Sequence, residues 1–275
     1  MKIKELGTGF SGTTYLVKIK KKEYALKIQH IRKADIENKK SDLWREIYFS
    51  KYVSKYPNIF KHLYYYNIID NCTFVKDDKK IGLKIYGNIN EYNELQKSKY
   101  CIEFIYNYQI NSLDTILFKL DIKQFYSLLL QLLYGIYILQ KKKYTHNDFN
   151  LYNITYNITH KKYRDIIVNN KKYRLPLYKY SYIIIDFGNA RHPNFIDNKI
   201  VKKNYLKNYK NIDIYNLVEN ITFYNLDISK NKIINNDKKW WFDKNKIMND
   251  ILFMLDNVNN VSTILKYFLQ KIKTV

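Results

Sequence analysis

His146-Asn147-Asp148-Phe149-Asn150-Leu151-Tyr152-Asn153 is followed, after a long stretch rich in Tyr, Ile and Lys, by Ile183-Ile184-Ile185-Asp186-Phe187-Gly188. The first segment comes directly after Gln124 to Gln140, which is apolar over most of its circumference and so reads as a helix in the middle of a core. The sequence then turns polar abruptly. The second segment closes a β-branched apolar run with an acid, an aromatic and a glycine, so a buried strand is expected to stop at Asp186.

Toward the N-terminus, Gly7-Thr8-Gly9-Phe10-Ser11-Gly12 places three glycines within six residues of a chain that has only 7. A GxGxxG run that binds a dinucleotide opens a helix at its last glycine. Here Thr13-Thr14-Tyr15-Leu16-Val17 is β-branched and aromatic and favours a strand instead. The run therefore reads as the bend of a hairpin whose bare backbone can approach phosphate oxygens, with an ordinary glycine-rich turn as the alternative. Strand character continues to Ile19, turns at Lys20 to Lys22 and resumes from Tyr24 to Ile28.

Ala25-Leu26-Lys27 sets a lysine inside this apolar strand, where an unpaired ammonium is costly to bury. Glu46, in Trp44-Arg45-Glu46-Ile47, lies on a helix expected over Asp35 to Tyr52 and is a candidate partner. Taken singly, each would be a solvated surface charge; their order after the glycine run points to a pair. Tyr100 to Ile105 reads as a further strand. Ile247, Ile251, Leu252 and Leu255, then Ile264, Leu265 and Phe268, suggest two amphipathic helices near the C-terminus.

In order and type, the glycine run, strand lysine, helix glutamate, His146–Asn153 segment and Asp186-Phe187-Gly188 resemble the motifs of the eukaryotic-like serine/threonine protein kinase superfamily. The last two are similar to its HRDLxxxxN catalytic loop and its DFG motif. The resemblance implies an α+β, bilobal, protein-kinase-like fold built as a single domain over 1–275. A small β-rich N-lobe would occupy 1–105 and a mainly helical, trimmed C-lobe 106–275.

The resemblance also implies a transferase that moves the γ-phosphate of ATP onto Ser/Thr hydroxyls of proteins. Asp148 would orient or deprotonate the substrate hydroxyl, Lys27 held by Glu46 would meet the α- and β-phosphates, and Asn153 and Asp186 would hold magnesium, with manganese as its substitute. Gly7, Thr8, Gly9, Phe10, Ser11 and Gly12 would cover the phosphates, with Ala25 among the nucleotide contacts. Glu103 and Ile105 would offer backbone groups to adenine with Ile102 behind them, although a core strand without ligand contact would look the same. His146 reads as structural, packing beneath Phe187. Asp213 is either a buried brace for the catalytic loop or an ordinary helix N-cap.

The chain departs from the family pattern at several points. Asn147 stands where many kinases carry the arginine that reads a phosphorylated activation loop, and Asn150 where serine/threonine kinases usually have a lysine. Residues 156–182 form an insert whose alternation suggests an extended hairpin before DFG, and no Ala-Pro-Glu triplet follows. These details, with Tyr173-Arg174-Leu175-Pro176-Leu177-Tyr178, look like the short kinases of large nucleocytoplasmic DNA viruses, which implies host cytoplasm or virion. The reduced peptide-binding region keeps two alternatives open: a nucleotide-binding pseudokinase scaffold, or a kinase-like enzyme acting on a small molecule.

Bulk properties bound these readings. With 275 residues, 46% of them hydrophobic, the chain can build a core without a disulfide or metal staple. The net charge of +23 suits nucleic acid, but Lys, Asn, Ile and Tyr share AT-rich codons, so base composition alone could supply it. Lys199, Lys202, Lys203, Lys207 and Lys210 would favour acidic protein substrates, or form a solvated face. Cys72 and Cys101 form no CxxC pair and no signal segment opens the chain, which favours a reducing, cytoplasmic setting. The apolar stretch Ser127 to Leu139 is too short to span a bilayer, so no membrane span is expected.

Overall fold

The structure, a computed structural model, describes residues 2–9, 12–72, 95, 97–109, 111–195, 211–229, 238–258 and 260–272. It is a mixed α+β protein. The described residues fall into two compact units: one takes in 2–57, 61–109 and 187–195, the other 58–60, 111–186 and 211–272. The strand from Tyr100 in the first unit continues to Asn107.

The first unit is built on a five-stranded antiparallel sheet in the order β1-β2-β3-β5-β4, with β1 at Lys2–Gly9, β2 at Gly12–Ile19, β3 at Lys22–Ile31, β4 at Leu63–Ile69 and β5 at Tyr100–Asn107. Lys20 and Lys21, with φ of 46° and 67°, make a two-residue turn whose left-handed backbone matches strand twist and joins β2 to β3. On one face of the sheet Ala25, Ile31, Leu63, Ile102, Phe104 and Tyr106 pack with Leu43 and Ile47 into the unit's core.

The single helix predicted over Asp35 to Tyr52 is two helices, α1 at Lys33–Glu37 and α2 at Asp42–Val53. Side chains compete for the backbone at the break: Asn38 Oδ1 accepts from Lys40 N at 3.0 Å, and the Ser41 hydroxyl donates to Asp35 O at 2.7 Å. The indole N–H of Trp44 then donates to Ile36 O at 2.9 Å and ties the two helices together. Cys72 and Cys101 are joined by a disulfide. The inference from cysteine spacing to a reducing compartment therefore loses its basis, since the two sulfurs meet only once β4 and β5 pair.

The second unit is organised by α3, Ile122–Gln140, started by an Asp121 capping box in which Asp121 and Gln124 exchange side-chain-to-backbone bonds. Among the described residues it is the one helix long and apolar enough to cross a membrane, longer than the stretch expected from sequence. It is 83% buried within the fold, which accounts for its apolarity. Gln131, the polar interruption, is buried and binds the edge of a neighbouring strand: Oε1 accepts from Tyr182 N and Nε2 donates to Tyr180 O, both at 3.0 Å. One turn earlier the Ser127 hydroxyl donates to Pro176 O at 2.6 Å. Gly135 belongs to the same contact: a Cβ there would stand 2.5 Å from Ile184 Cδ1, so the end of that side chain would have to shift.

The insert is a hairpin mounted on a second pair of strands. β7 (Ile154–Ile158) pairs with β10 (Tyr180–Ile184) and with the short β6 (Asn111–Ser112), while β8 (Tyr163–Val168) and β9 (Lys171–Pro176) form a two-stranded ribbon whose Ile166, Val168 and Leu175 are buried. Asn169 and Asn170, with φ of 48° and 64°, make its tight turn, and Asn supports that backbone without glycine. Helices α4 (Ile212–Ser229), α5 (Lys238–Val258) and α6 (Val261–Lys271) complete the unit. The C-terminal periodicity corresponds to α5 and α6, whose Ile247, Ile251, Leu255, Ile264, Leu265 and Phe268 are all buried.

Candidate functional site

In the first unit, Lys27 sits on β3 opposite Phe104 of β5, with Nζ 5.9 Å from that ring's centre. Helix α2 turns Leu43, Glu46, Ile47, Ser50 and Val53 inward, so a carboxylate lies on an otherwise core-facing stripe. Lys27 Nζ and Glu46 Oε1 are 2.7 Å apart, and both side chains are withdrawn from water. The cost of burying either charge alone is met by the other, and the pair fixes α2 against the sheet.

The glycine run divides between β1 and β2, with Phe10 and Ser11 outside the described residues. Thr8 Oγ1 lies 2.7 Å from Glu5 Oε1 and 2.9 Å from Thr13 Oγ1, which ties the end of β1 to β2. Gly12 has φ +145°, and a Cβ on it would collide with the carbonyl of Ile28. Around Gly7, by contrast, a Cβ would meet nothing within 4 Å, so the protein's own packing does not demand glycine there. Ala25 is a core residue at 3% exposure.

Glu103 and Ile105 are placed differently from the expectation. Both lie in the middle of β5, paired to Ile28 and Leu26 on one side and to Asn67 and Tyr65 on the other. A strand laddered on both sides uses its backbone groups in the sheet, so these residues do not offer them to a ligand. Ile102 is fully buried within the same core.

In the second unit, Asp213 holds the His146–Asn153 segment. It lies in the first turn of α4 at 2% exposure, its Oδ2 accepting from His146 N at 2.8 Å and its Oδ1 from Asn147 N at 2.7 Å. Both carboxylate oxygens therefore serve the loop, and the brace is realised rather than the N-cap. Burial pushes the Asp213 carboxyl up, against the opposing pull of the imidazole of His146 and the two backbone N–H groups.

His146 is fully buried, edge-on to Phe149 at 5.3 Å, and its Nε2–H donates to Ile185 O at 2.9 Å. Ile185 N donates in turn to Asn153 O at 2.9 Å, so the residue before Asp186 is fixed from both sides. Asp186 is exposed and has φ 60°, the left-handed region that few residues other than glycine, asparagine and aspartate adopt, just past the end of β10.

Asp148 is held from within the loop. Asn153 Nδ2 donates to its Oδ2 at 3.0 Å and to its carbonyl at 2.9 Å, and Asn150 Nδ2 donates to its Oδ1 at 2.8 Å. Asn150 Oδ1 also caps the short turn Leu151–Asn153 by accepting from Tyr152 N and Asn153 N. With the Asn153 amide nitrogen committed to Asp148, its oxygen is the group left to face a cation. That oxygen and the Asp186 carboxylate are the hard donors a magnesium ion takes, so these residues fit the metal that the sequence implies.

Arg45 is a residue that pattern reading misses. It is fully buried beside Glu46, with Nη1 2.8 Å from Asp42 Oδ1 and Nη2 donating to Gly188 O at 3.3 Å. Phe187 lies against Phe49 at 4.8 Å and Phe195 against Tyr48 at 5.8 Å, so one face of α2 anchors the start of the segment after Asp186. An arginine next to an acid on a helix looks like surface charge in sequence, and only the fold gives it a backbone carbonyl to bind. Lys199, Lys202, Lys203, Lys207 and Lys210 lie outside the described residues. No model of a known protein family and no curated protein sequence matches the chain.

Proposed function

We propose that the chain is a protein kinase of serine/threonine type that transfers the γ-phosphate of ATP to a protein hydroxyl. The observation that carries this reading is the Asp148–Asn153 hydrogen bond, inside a loop clamped by Asp213, next to a strand end that presents Asp186. An acid pinned by the nitrogen of an amide, whose oxygen remains to accept or to ligate, suits one purpose well. It supports the proton-accepting oxygen of Asp148 and the metal-facing oxygen of Asn153 being kept at fixed separation.

Magnesium-bound ATP, when present, supplies the electrophilic phosphoryl group and neutralises its charge. Asp148 orients the acceptor hydroxyl and takes its proton. Asn153 and Asp186 would hold the cation, and Lys27, prevented from wandering by Glu46, would bind the α- and β-phosphates. Open space at Gly7 leaves room for phosphate oxygens near the backbone of β1. Adenine is held by backbone beyond Asn107, where Tyr108 and Gln109 lie outside the ladder, and not by Glu103 or Ile105.

The deciding experiment is transfer of radiolabel from γ-labelled ATP to acidic casein-like and basic protein substrates by wild type, Asp148→Ala and Asp186→Asn. Wild type is expected to label protein on Ser or Thr, and both variants to lose about 100-fold or more. Nucleotide binding with no transfer above the variants would replace this reading with a scaffold role. Label in a soluble acceptor with none in protein would replace it with small-molecule phosphotransfer.

A further inference from the structure

Cys72 and Cys101 are the chain's two cysteines, and their disulfide joins the third residue beyond β4 to the second residue of β5 across 29 positions. The neck of this connection is also held by Cys72 N donating to Lys99 O at 2.7 Å and by the Ser98 hydroxyl donating to Ile31 O at 2.6 Å. The two sulfurs have different surroundings. Cys101 is fully buried, whereas Cys72 is partly exposed.

His30, opposite Cys101 in the β3–β5 ladder and 8% exposed, brings Nδ1 to 3.1 Å from Ser98 O and 3.5 Å from Cys101 Sγ. A carbonyl only accepts, so Nδ1 carries a hydrogen, and the same N–H faces the sulfur. This donor has no bearing on an inert buried bond, but it matters once the bond opens, because an N–H beside sulfur stabilises thiolate. In thiol–disulfide exchange the incoming thiolate attacks the accessible sulfur, and the better-stabilised sulfur leaves. The asymmetry here gives each cysteine one of those parts.

We propose that Cys72–Cys101 is a reversible modification site for small thiols and their disulfides, with Cys72 the attacked sulfur, Cys101 the leaving thiolate and His30 its positioning residue. A glutathione thiolate attacks Cys72 Sγ, the Sγ–Sγ bond breaks, and the electron pair goes to Cys101 Sγ, which faces the His30 N–H. A second glutathione thiolate attacks the glutathione sulfur of the mixed disulfide and releases the Cys72 thiolate. The net change is one protein disulfide and two glutathione thiols converted to two protein thiols and one glutathione disulfide. In its oxidised form the site pins the neck of the β4–β5 connection covalently; in its reduced form the neck keeps its backbone, Ser98 and His30 hydrogen bonds without that pin.

The test treats the folded full-length chain with reduced glutathione, quenches with acid and maps by peptide mass which cysteine carries glutathione. The expected intermediate carries it on Cys72, disappears as free thiols form, and re-forms the disulfide when glutathione disulfide is restored. His30→Leu, checked for folding by circular dichroism, is expected to slow reduction by about tenfold, since the leaving thiolate loses the N–H that stabilises it. Glutathione on Cys101, or reduction that occurs only after denaturant is added, would overturn the proposal. The mapping on wild type stands by itself if His30→Leu fails to fold.

Discussion

Lys27 Nζ stands 2.7 Å from Glu46 Oε1, with the two side chains 11% and 6% exposed. At this burial, removing one partner leaves the other an uncompensated charge, whereas removing both leaves a repairable gap. Lys27→Met is expected to destabilise the chain by about 3–5 kcal/mol, and Lys27→Met with Glu46→Leu to recover most of that loss. Urea unfolding of the single and double variants gives the comparison. The double variant should regain stability but no phosphotransfer, which separates the structural from the catalytic part of the pair.

Asp213 gives the pH prediction. Its carboxyl is held above the usual value of about 3.8 by burial, so through the window above that value the native state binds more protons than the unfolded chain. Stability from this group is therefore greatest below the window and falls as pH rises through it. Asp213→Asn, which cannot accept from both His146 N and Asn147 N, should cost about 1–3 kcal/mol. The advantage of wild type over the variant should narrow as pH rises from acid toward neutral, read from urea midpoints of both proteins at each pH. A gap that widens with pH would contradict this assignment.

The parts of the site set by local pattern were legible before any fold was known. Lys27 in an apolar strand, a polar loop after the α3 helix and Asp186 at a strand end are each one-dimensional signals, and each side chain sits in the element that its pattern predicts. What needed three dimensions was the choice of partner. Asp213 is 67 positions from His146, Arg45 is 143 from Gly188, and the Cys72–Cys101 bond depends on strand pairing that spacing does not reveal. The Glu103–Ile105 placement failed for a related reason: a strand at the centre of a sheet and one at its margin have the same apolar sequence, and only the pairing with β4 shows that β5 is flanked on both sides. The break at Asn38–Ser41 was hidden because side chains that cap a helix end also occur within helices.

Asn150 reads as a missing lysine in sequence and as a cap in the fold. Its Oδ1 accepts from Tyr152 N at 3.0 Å and Asn153 N at 3.1 Å while its Nδ2 holds Asp148. Asn150→Lys, which installs the residue serine/threonine kinases usually carry, should therefore lower both stability, by about 1 kcal/mol for the lost cap, and transfer rate, through a less constrained Asp148. Steady-state labelling beside thermal unfolding measures the two effects. A variant that transfers phosphate faster than wild type would show that the cap is dispensable and the lysine is not.

Gly12 and Gly7 separate what the fold needs from what a ligand needs. Gly12 has φ +145° and its missing Cβ would strike the Ile28 carbonyl, so Gly12→Ala must distort the β2–β3 pair and is expected to cost about 1–3 kcal/mol or more. Gly7 meets nothing within 4 Å, so Gly7→Ala should leave the urea midpoint within about 0.5 kcal/mol of wild type. If the loop lies over phosphates, the added methyl occupies the approach of an oxygen to the backbone. Gly7→Ala should then weaken ATP binding by about tenfold while adenosine, which has no phosphates, binds as before. Equal affinity of wild type and Gly7→Ala for both ligands would mean that the bend between β1 and β2 is a hairpin turn with no part in nucleotide recognition.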